Sequence, residues 1–134
     1  MKFFKGYKYQ LSEDMEFFTD IKPKHLIVDK RIRLYSDGTL IVSDGYAWDG
    51  ASGPVVDRKS NYAASCGHDA LAELMRKGLL KHHWWVQADR EYIRILRDRG
   101  KANRLTCWLD AKGLAIVQGS YALPKNRKKE YYVP

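Results

Sequence analysis

Apolar and polar positions along this chain follow two different periods, and the change between them divides it. In the first part the period is two. Arg31-Ile32-Arg33-Leu34-Tyr35 alternates, Ser36-Asp37-Gly38 is a turn signal, and Thr39-Leu40-Ile41-Val42 is an apolar, β-branched run. A period of two sends alternate side chains to opposite faces of a strand, so the two runs predict an antiparallel hairpin. Upstream, Tyr7-Lys8-Tyr9-Gln10-Leu11 and Met15-Glu16-Phe17-Phe18 add strands to the same small sheet, and His25, shortly after Pro23, reads as a surface or turn residue.

Later the period lengthens to that of a helix. Ala64, His68, Leu71 and Met75 recur at i, i+4, i+7 and i+11, with Gly78 as a stop. A second helix is predicted over 83–98, with Asp89, Tyr92, Ile93 and Leu96 as its buried stripe and Gly100 at its end. A third, weakened by Gly113, runs over 103–117 with Leu105, Trp108, Leu109 and Ile116 turned inward. Between the two regimes, residues 44–59 hold Gly45, Gly50, Gly53, Pro54 and Asp57, the composition of an ordered loop rather than of a linker. The pattern predicts one α+β domain over 1–134. An N-terminal antiparallel hairpin sheet occupies about 1–45, a glycine-rich loop 46–59, two to three packed helices 60–118, and a basic, extended tail 125–134.

Composition narrows the partners more than the fold. With 45% apolar and 13% aromatic residues among 134, the chain is long enough for a core and too apolar to be disordered. No apolar run is long enough to cross a bilayer, and the start, Met1-Lys2-Phe3-Phe4-Lys5-Gly6, lacks the apolar stretch of an export signal. Cys66 and Cys107 fit no metal or disulfide framework and fall in helical patterns, where a free cysteine behaves as a small hydrophobe. Cytoplasm, or a particle assembled there, is the expected location. The net charge of +8 favours anionic partners, whether nucleic acid, a lipid surface or an acidic protein. Its cations gather at Arg90, Arg94, Arg97, Arg99, Lys101 and Arg104, and again at Lys125, Arg127, Lys128 and Lys129. They read either as a solvated helix face with a basic tail or as a nucleic-acid surface, although no recognised binding motif accompanies them.

The chemistry is concentrated elsewhere. Trp48-Asp49-Gly50-Ala51-Ser52-Gly53-Pro54, Cys66-Gly67-His68-Asp69 and Ala88-Asp89 set three carboxylates and one imidazole at intervals of 19 to 21 residues. The later ones lie on apolar helix faces, where an unpaired charge costs several kcal/mol. His68 and Asp69 are adjacent on a helix and point about 100° apart, so they cannot serve one ligand in the same way. If the first two helices pack antiparallel, Asp89 can approach the His68 imidazole. A carboxylate there fixes the tautomer and stabilises the imidazolium, as a general base requires. Asp49 and Asp69 remain as hard oxygen ligands beside a loop able to turn its carbonyls inward, a set that suits calcium rather than zinc. Such a site would polarise an ester or phosphoester oxygen with the metal while the His–Asp pair activates water. Taken singly, each residue also has an ordinary reading: a hydrogen-bonded core His68, a helix carboxylate at Asp69, an Asp89 favoured near a helix start, and a turn-forming Asp49.

At these residues the chain resembles a phage and prophage family, domain of unknown function 1353. Its members carry a Gly-aromatic segment, Asp-Gly-Ala-Ser-x-Pro, His-Asp-x-Leu-Tyr, and Ala-Asp with an aromatic three residues on. Here these are Gly45-Tyr46, Asp49-Gly50-Ala51-Ser52-Gly53-Pro54, His68-Asp69-Ala70-Leu71, and Ala88-Asp89 with Tyr92, within about residues 30–100. The resemblance implies a phage or prophage origin, hence the host cytoplasm or the virion, and no particular activity. More distantly the chain is similar to small bacterial and fungal phospholipases A2, with their Asp-Gly-Cys-Ser loop, Cys-x-x-His-Asp helix and later helical Asp. That resemblance implies His68 as the base, Asp69 and Asp49 with the Gly50 carbonyl as calcium ligands, and Asp89 as the residue orienting His68. The chain departs from it in three places. Ala51 replaces the loop cysteine, Cys66 precedes His68 by two residues rather than three, and Ala72 stands where both families carry a tyrosine. The last removes a hydroxyl that could support the site from behind, which counts against catalysis and for the non-catalytic reading.

The expectation is therefore a phage-derived, calcium-dependent hydrolase-like protein acting on a lipid or other ester, with His68 and Asp89 catalytic and Asp49, Gly50 and Asp69 at the metal. Lys81-His82-His83-Trp84-Trp85 suits the anionic lipid surface on which such a substrate lies, or else is a helix-start loop with one tryptophan in the core. Two alternatives stand beside it. One is a non-catalytic virion, assembly or host-interaction protein that meets other phage proteins and uses the His/Asp constellation structurally. The other is a basic nucleic-acid-binding protein.

Overall fold

Residues 9–50, 55, 56 and 58–124 are described by the computed structural model. Among these residues, six short strands come first: β1 (Tyr9–Gln10), β2 (Met15–Phe18), β3 (Ile27–Asp29), β4 (Ile32–Leu34), β5 (Thr39–Val42) and β6 (Ala47–Trp48). Three helices follow, α1 (Tyr62–Arg76), α2 (Trp85–Asp98) and α3 (Arg104–Val117), with short 3-10 turns at Lys59–Asn61, His82–Trp84 and Ser120–Ala122. The fold is α+β, with the strands in two small antiparallel sheets.

The alternating segment over 31–42 forms the predicted hairpin, β4 against β5, with Leu34 opposite Leu40 and Ile32 opposite Val42. This register turns all four of those side chains into the core. Gly38 closes the turn at φ 94, donating its N–H to the Tyr35 carbonyl at 3.0 Å. A Cβ there would lie 2.0 Å from the Thr19 carbonyl oxygen, so glycine is required both by backbone angle and by space. β2 joins the other edge of β5, placing Phe17 opposite Leu40, and β3 completes the order β2-β5-β4-β3.

The strand expected over 7–11 does not extend this sheet. β1 pairs instead with β6, Tyr9 opposite Trp48, in a separate two-stranded sheet; Tyr7 and Lys8 lie outside the described residues. Leu11 and the segment before β6 are tied by two backbone hydrogen bonds, Leu11 N–H to Tyr46 O and Gly45 N–H to Leu11 O, both 2.8 Å. Neither β6 nor β3, of two and three residues, is long enough to show a period in the sequence.

α1 is the enclosed helix. Ala64, Cys66, Gly67, Ala70, Leu71, Ala72, Leu74 and Met75 are all buried. Its small residues let neighbours come close: a Cβ on Gly67 would lie 3.3 Å from Ile95 on one side and 3.4 Å from the Phe17 ring on another. α2 covers α1 through Ala88, Tyr92, Ile95 and Leu96. Of the stripe predicted for it, Tyr92 and Leu96 are buried, while Asp89 and Ile93 are half-buried. Glu91 takes the unexpected place, 1% exposed. It accepts the Asp20 backbone N–H at 2.8 Å and the Gln87 amide at 2.9 Å, and it pairs with Arg94, so the strand side is pinned to α2.

α3 reverses the predicted face. Leu105, Trp108, Leu109 and Ile116 are exposed, not inward. Asn103 caps the helix by accepting the Thr106 N–H at 2.8 Å. The side that is seated carries Asp110, Gly113 and Leu114. Asp110, 2% exposed, accepts from Arg58 Nη2 at 2.5 Å and from the Tyr92 hydroxyl at 2.7 Å. An apolar stripe shows that a helix is two-faced; here a buried carboxylate with two donors decides which face is inside.

Residues 51–54, 57 and the basic tail 125–134 lie outside the described residues. Among those described, no helix is long and apolar enough to cross a membrane. Asp110→Ala leaves a buried phenol and a guanidinium without their acceptor and is expected to lower stability by about 3 kcal/mol. Leu109→Ala, on the exposed stripe, should change it by less than about 0.5 kcal/mol. Urea unfolding of the two variants measures the difference; equal losses would mean that α3 is seated by its apolar face.

Candidate functional site

The packing of α2 on α1 brings His68 and Asp89 together. His68 Nε2 lies 2.9 Å from Asp89 Oδ1, with the two side chains 12% and 17% exposed. A third group joins them: the Tyr121 hydroxyl is 3.0 Å from the same nitrogen and donates to the same carboxylate oxygen. Nε2 thus faces two oxygens, one of them on a group that only accepts. In the neutral imidazole the network assigns the proton to Nε2 and the lone pair to Nδ1. Among the described residues, none makes a hydrogen bond to Nδ1. The ring also packs against Tyr121, tilted at 4.6 Å between centroids, and T-shaped against Tyr92 at 5.6 Å.

Tyr121 arrives from a chain reversal after α3. Gln118 and Gly119 both take left-handed angles, φ 47 and 75, and the 3-10 turn Ser120–Ala122 follows. A Cβ on Gly119 would sit 2.4 Å from the Trp85 ring, so the reversal can pass only as glycine. His82 Nε2 donates to the Gly119 carbonyl at 2.9 Å, and Arg76 Nη1 to the Tyr121 carbonyl at 3.1 Å. Burial, and then the charge of Asp89, push the Tyr121 phenol far above its ordinary value. It therefore stays protonated, a fixed donor to Asp89. Ala72, 1% exposed, supplies no hydroxyl. The hydroxyl at the His68–Asp89 pair comes from Tyr121, 49 residues beyond Ala72.

Asp69 is met from other directions. The Tyr46 hydroxyl donates to Oδ2 at 2.5 Å, and Arg76 Nη2 lies 3.4 Å from Oδ1. Burial, followed by Asp69 and Glu73, raises the Tyr46 phenol, which keeps its proton as well. The loop leading to Asp49 is fixed one residue earlier, where the Trp48 indole donates to Ser65 Oγ at 2.9 Å and Ser65 donates to the Tyr62 carbonyl at 3.0 Å. Asp49 itself is exposed, and Gly50 half-buried.

These placements bear on calcium. Among the described residues, no group of three or more His, Cys, Asp or Glu side chains is placed to hold a metal ion. Asp69 has a phenol on one oxygen and a guanidinium facing the other, and a cation approaching it would meet the charge of Arg76. The Cys66 thiol is buried and pushed up by that burial, so it is neither a thiolate ligand nor a nucleophile.

Set against protein-family models, curated proteins and solved structures, the chain matches none of them.

Sequence reasoning missed Tyr46, Arg76 and Tyr121 as members of this arrangement. Arg76 looks like an ordinary cation in a last helical turn, yet it is 4% exposed. The signal for Tyr121 is the Gln118-Gly119 pair, which marks a reversal but not its destination.

Two measurements follow. Nitrogen-15 spectra of neutral His68 are expected to show the proton on Nε2, with the preference weakened in Asp89→Asn; an Nδ1–H form would contradict the network. Glu73, one turn beyond Asp69, has its carboxyl raised by burial, opposed by Lys77 and reinforced by Asp69. Its protonated form is therefore favoured by the fold, and the stability this gives is lost as pH rises from the ordinary 4.5 through the raised value. Glu73→Gln should raise the urea midpoint at neutral pH and leave it unchanged below 4.5.

Proposed function

We propose that this chain is a hydrolase of ester-type bonds in which His68 Nδ1 takes a proton from water while Asp89 and Tyr121 hold the imidazole. The observation that carries the reading is the pair of oxygens on Nε2, which leaves Nδ1 as the basic nitrogen. Transfer of a water proton to Nδ1 forms an imidazolium, and the Asp89 carboxylate beside Nε2 stabilises that charge. Tyr121 donates to Asp89 without bringing a second charge, so the carboxylate remains directed at the ring. The resemblance to small phospholipases A2 supports the same roles for His68 and Asp89. Calcium, which it also implies at Asp49, Gly50 and Asp69, is disfavoured by Arg76 beside Asp69, and no step is assigned to it. A phage or prophage source, with location in host cytoplasm or virion, belongs to the same reading and is supported by the ordered motifs from Gly45 to Tyr92.

A second reading is favoured by one observation, the exposed apolar stripe of α3. On it the chain is an interaction protein, and the His/Asp constellation only ties helices and loop together.

Release of carboxylic acid from a monomeric short-chain glycerophospholipid separates the two. Wild type is expected to be active, His68→Ala to lose roughly 10²-fold or more, and Tyr121→Phe to lose roughly tenfold in kcat. Each is measured with calcium and with chelator: survival in chelator supports a metal-free base, and loss there restores calcium to the site. No release by wild type, with His68→Ala merely less stable, makes the constellation structural.

A further inference from the structure

We propose that the outer face of α3 is a docking surface for an anionic lipid bilayer. Leu105, Trp108, Leu109 and Ile116 are 64%, 56%, 51% and 72% exposed. Their spacing of i, i+3, i+4 and i+11 sets them along one side of a 14-residue helix. Single exposed apolar side chains are ordinary; four large ones in a stripe mark a surface that something covers.

The charges of the helix are sorted in the same direction. Its one acid, Asp110, is buried against Arg58 and Tyr92. The ionised groups left on the solvent side are therefore cations, Arg104 and Lys112, the latter with its ammonium 5.7 Å from the Trp108 ring centre. Arg97, Arg99 and Lys101 lead into the helix and are exposed as well, with Asp98 the one acid between them. On the flank facing α2, Ile93, Ala111 and Leu114 form an apolar pocket of about 380 Å³ bordered by Arg90, Arg94 and Arg97, with Asp89 the one acid in its lining. Arg94 is held by Glu91 and Asp20, whereas Arg90 is exposed and has no partner among the described residues.

Charge chooses the occupant. A second copy of a chain with net charge +8 would bring two such sets of cations face to face. An anionic bilayer accepts both features at once. The stripe enters the boundary between headgroups and acyl chains, Trp108 sits at that boundary, and the arginine and lysine stems carry their charges to the phosphates. The pocket beside the stripe has apolar walls for one lipid chain, and at its rim three arginines outnumber the single carboxylate of Asp89. This surface does not depend on His68 being a catalyst.

Binding of the full chain to sedimented vesicles tests it, using phosphatidylcholine alone and phosphatidylcholine mixed with phosphatidylglycerol. Wild type is expected to bind the mixed vesicles at least roughly tenfold more tightly, and to lose that advantage at high salt. Leu105→Glu combined with Ile116→Glu, both at exposed positions, should keep the urea midpoint of wild type and lose roughly tenfold or more in vesicle binding. Binding is read as sedimented protein and not as released acid, which keeps this result separate from hydrolysis. No binding to the mixed vesicles overturns the proposal, as does binding that the double variant leaves intact. So does a solution mass of two chains that the double variant returns to one, because the stripe is then covered by a second copy.

Discussion

Helix α1 is closed in by strands through Phe17, by α2 through Ile95, and by the turn that carries Tyr121, yet His68, Asp69 and Arg76 all project from it. A charged or strongly polar group removed from water must be met by partners, because desolvation costs more than one modest contact returns. The partners come from different places. α2 gives Asp89 to His68, the segment before β6 gives Tyr46 to Asp69, and the turn after α3 gives both its phenol and its carbonyl, to His68 and Arg76. Closing the core and assembling the candidate site are consequently one event. A neighbour that fails to dock leaves an orphaned polar group on α1, so the constellation holds the fold together whatever chemistry it performs.

The same pairing recurs three times. Tyr46 donates to Asp69, Tyr121 to Asp89 and Tyr92 to Asp110, and all three phenols are raised by burial before any other cause. A neutral donor avoids the second desolvation penalty that an ammonium or guanidinium would bring to the interior. It also leaves the carboxylate charge in place, pointed at whatever lies on its other side. At Asp110 that is Arg58, and the result is a seat for α3. At Asp89 it is His68, and the result is an imidazole with a fixed tautomer. One local device seats a helix in the first case and orients an imidazole in the second.

Legibility in the sequence follows the range of the forces. The β4–β5 hairpin could be read because a period of two and the Ser36-Asp37-Gly38 turn are local signals, and the α1 face because four residues repeat on it. The sheet to which β1 belongs is not legible, because two residues carry no register and their partner, β6, lies beyond the hairpin. For α3 the period is right and the direction wrong. Patterning puts the apolar stripe inside and Asp110 outside, but Asp110 meets Arg58 from 52 positions away. The approach of Asp89 to His68 follows from two helical periods and a short connection. Tyr121 follows from neither, and Ala72 taken alone looks like a missing hydroxyl because the sequence does not say that another segment carries it.

The unexpected face and the unexpected hydroxyl meet in α3. The helix is held through few residues, Asp110, Gly113 and Leu114, and its exposed side is more apolar than the side it buries. Its last turn then passes, through Gln118 and Gly119, directly into the segment that delivers Tyr121. The hydroxyl at the His68–Asp89 pair is thus positioned by the least deeply seated helix of the three, not by α1 or α2, which carry the pair itself. Neither α1 nor α2 supplies that hydroxyl. Drawing it instead from the far side of α3 makes the third member of the constellation dependent on the Arg58–Asp110–Tyr92 seat, on the space that Gly119 leaves for Trp85, and on the hydrogen bond from His82 to the reversal.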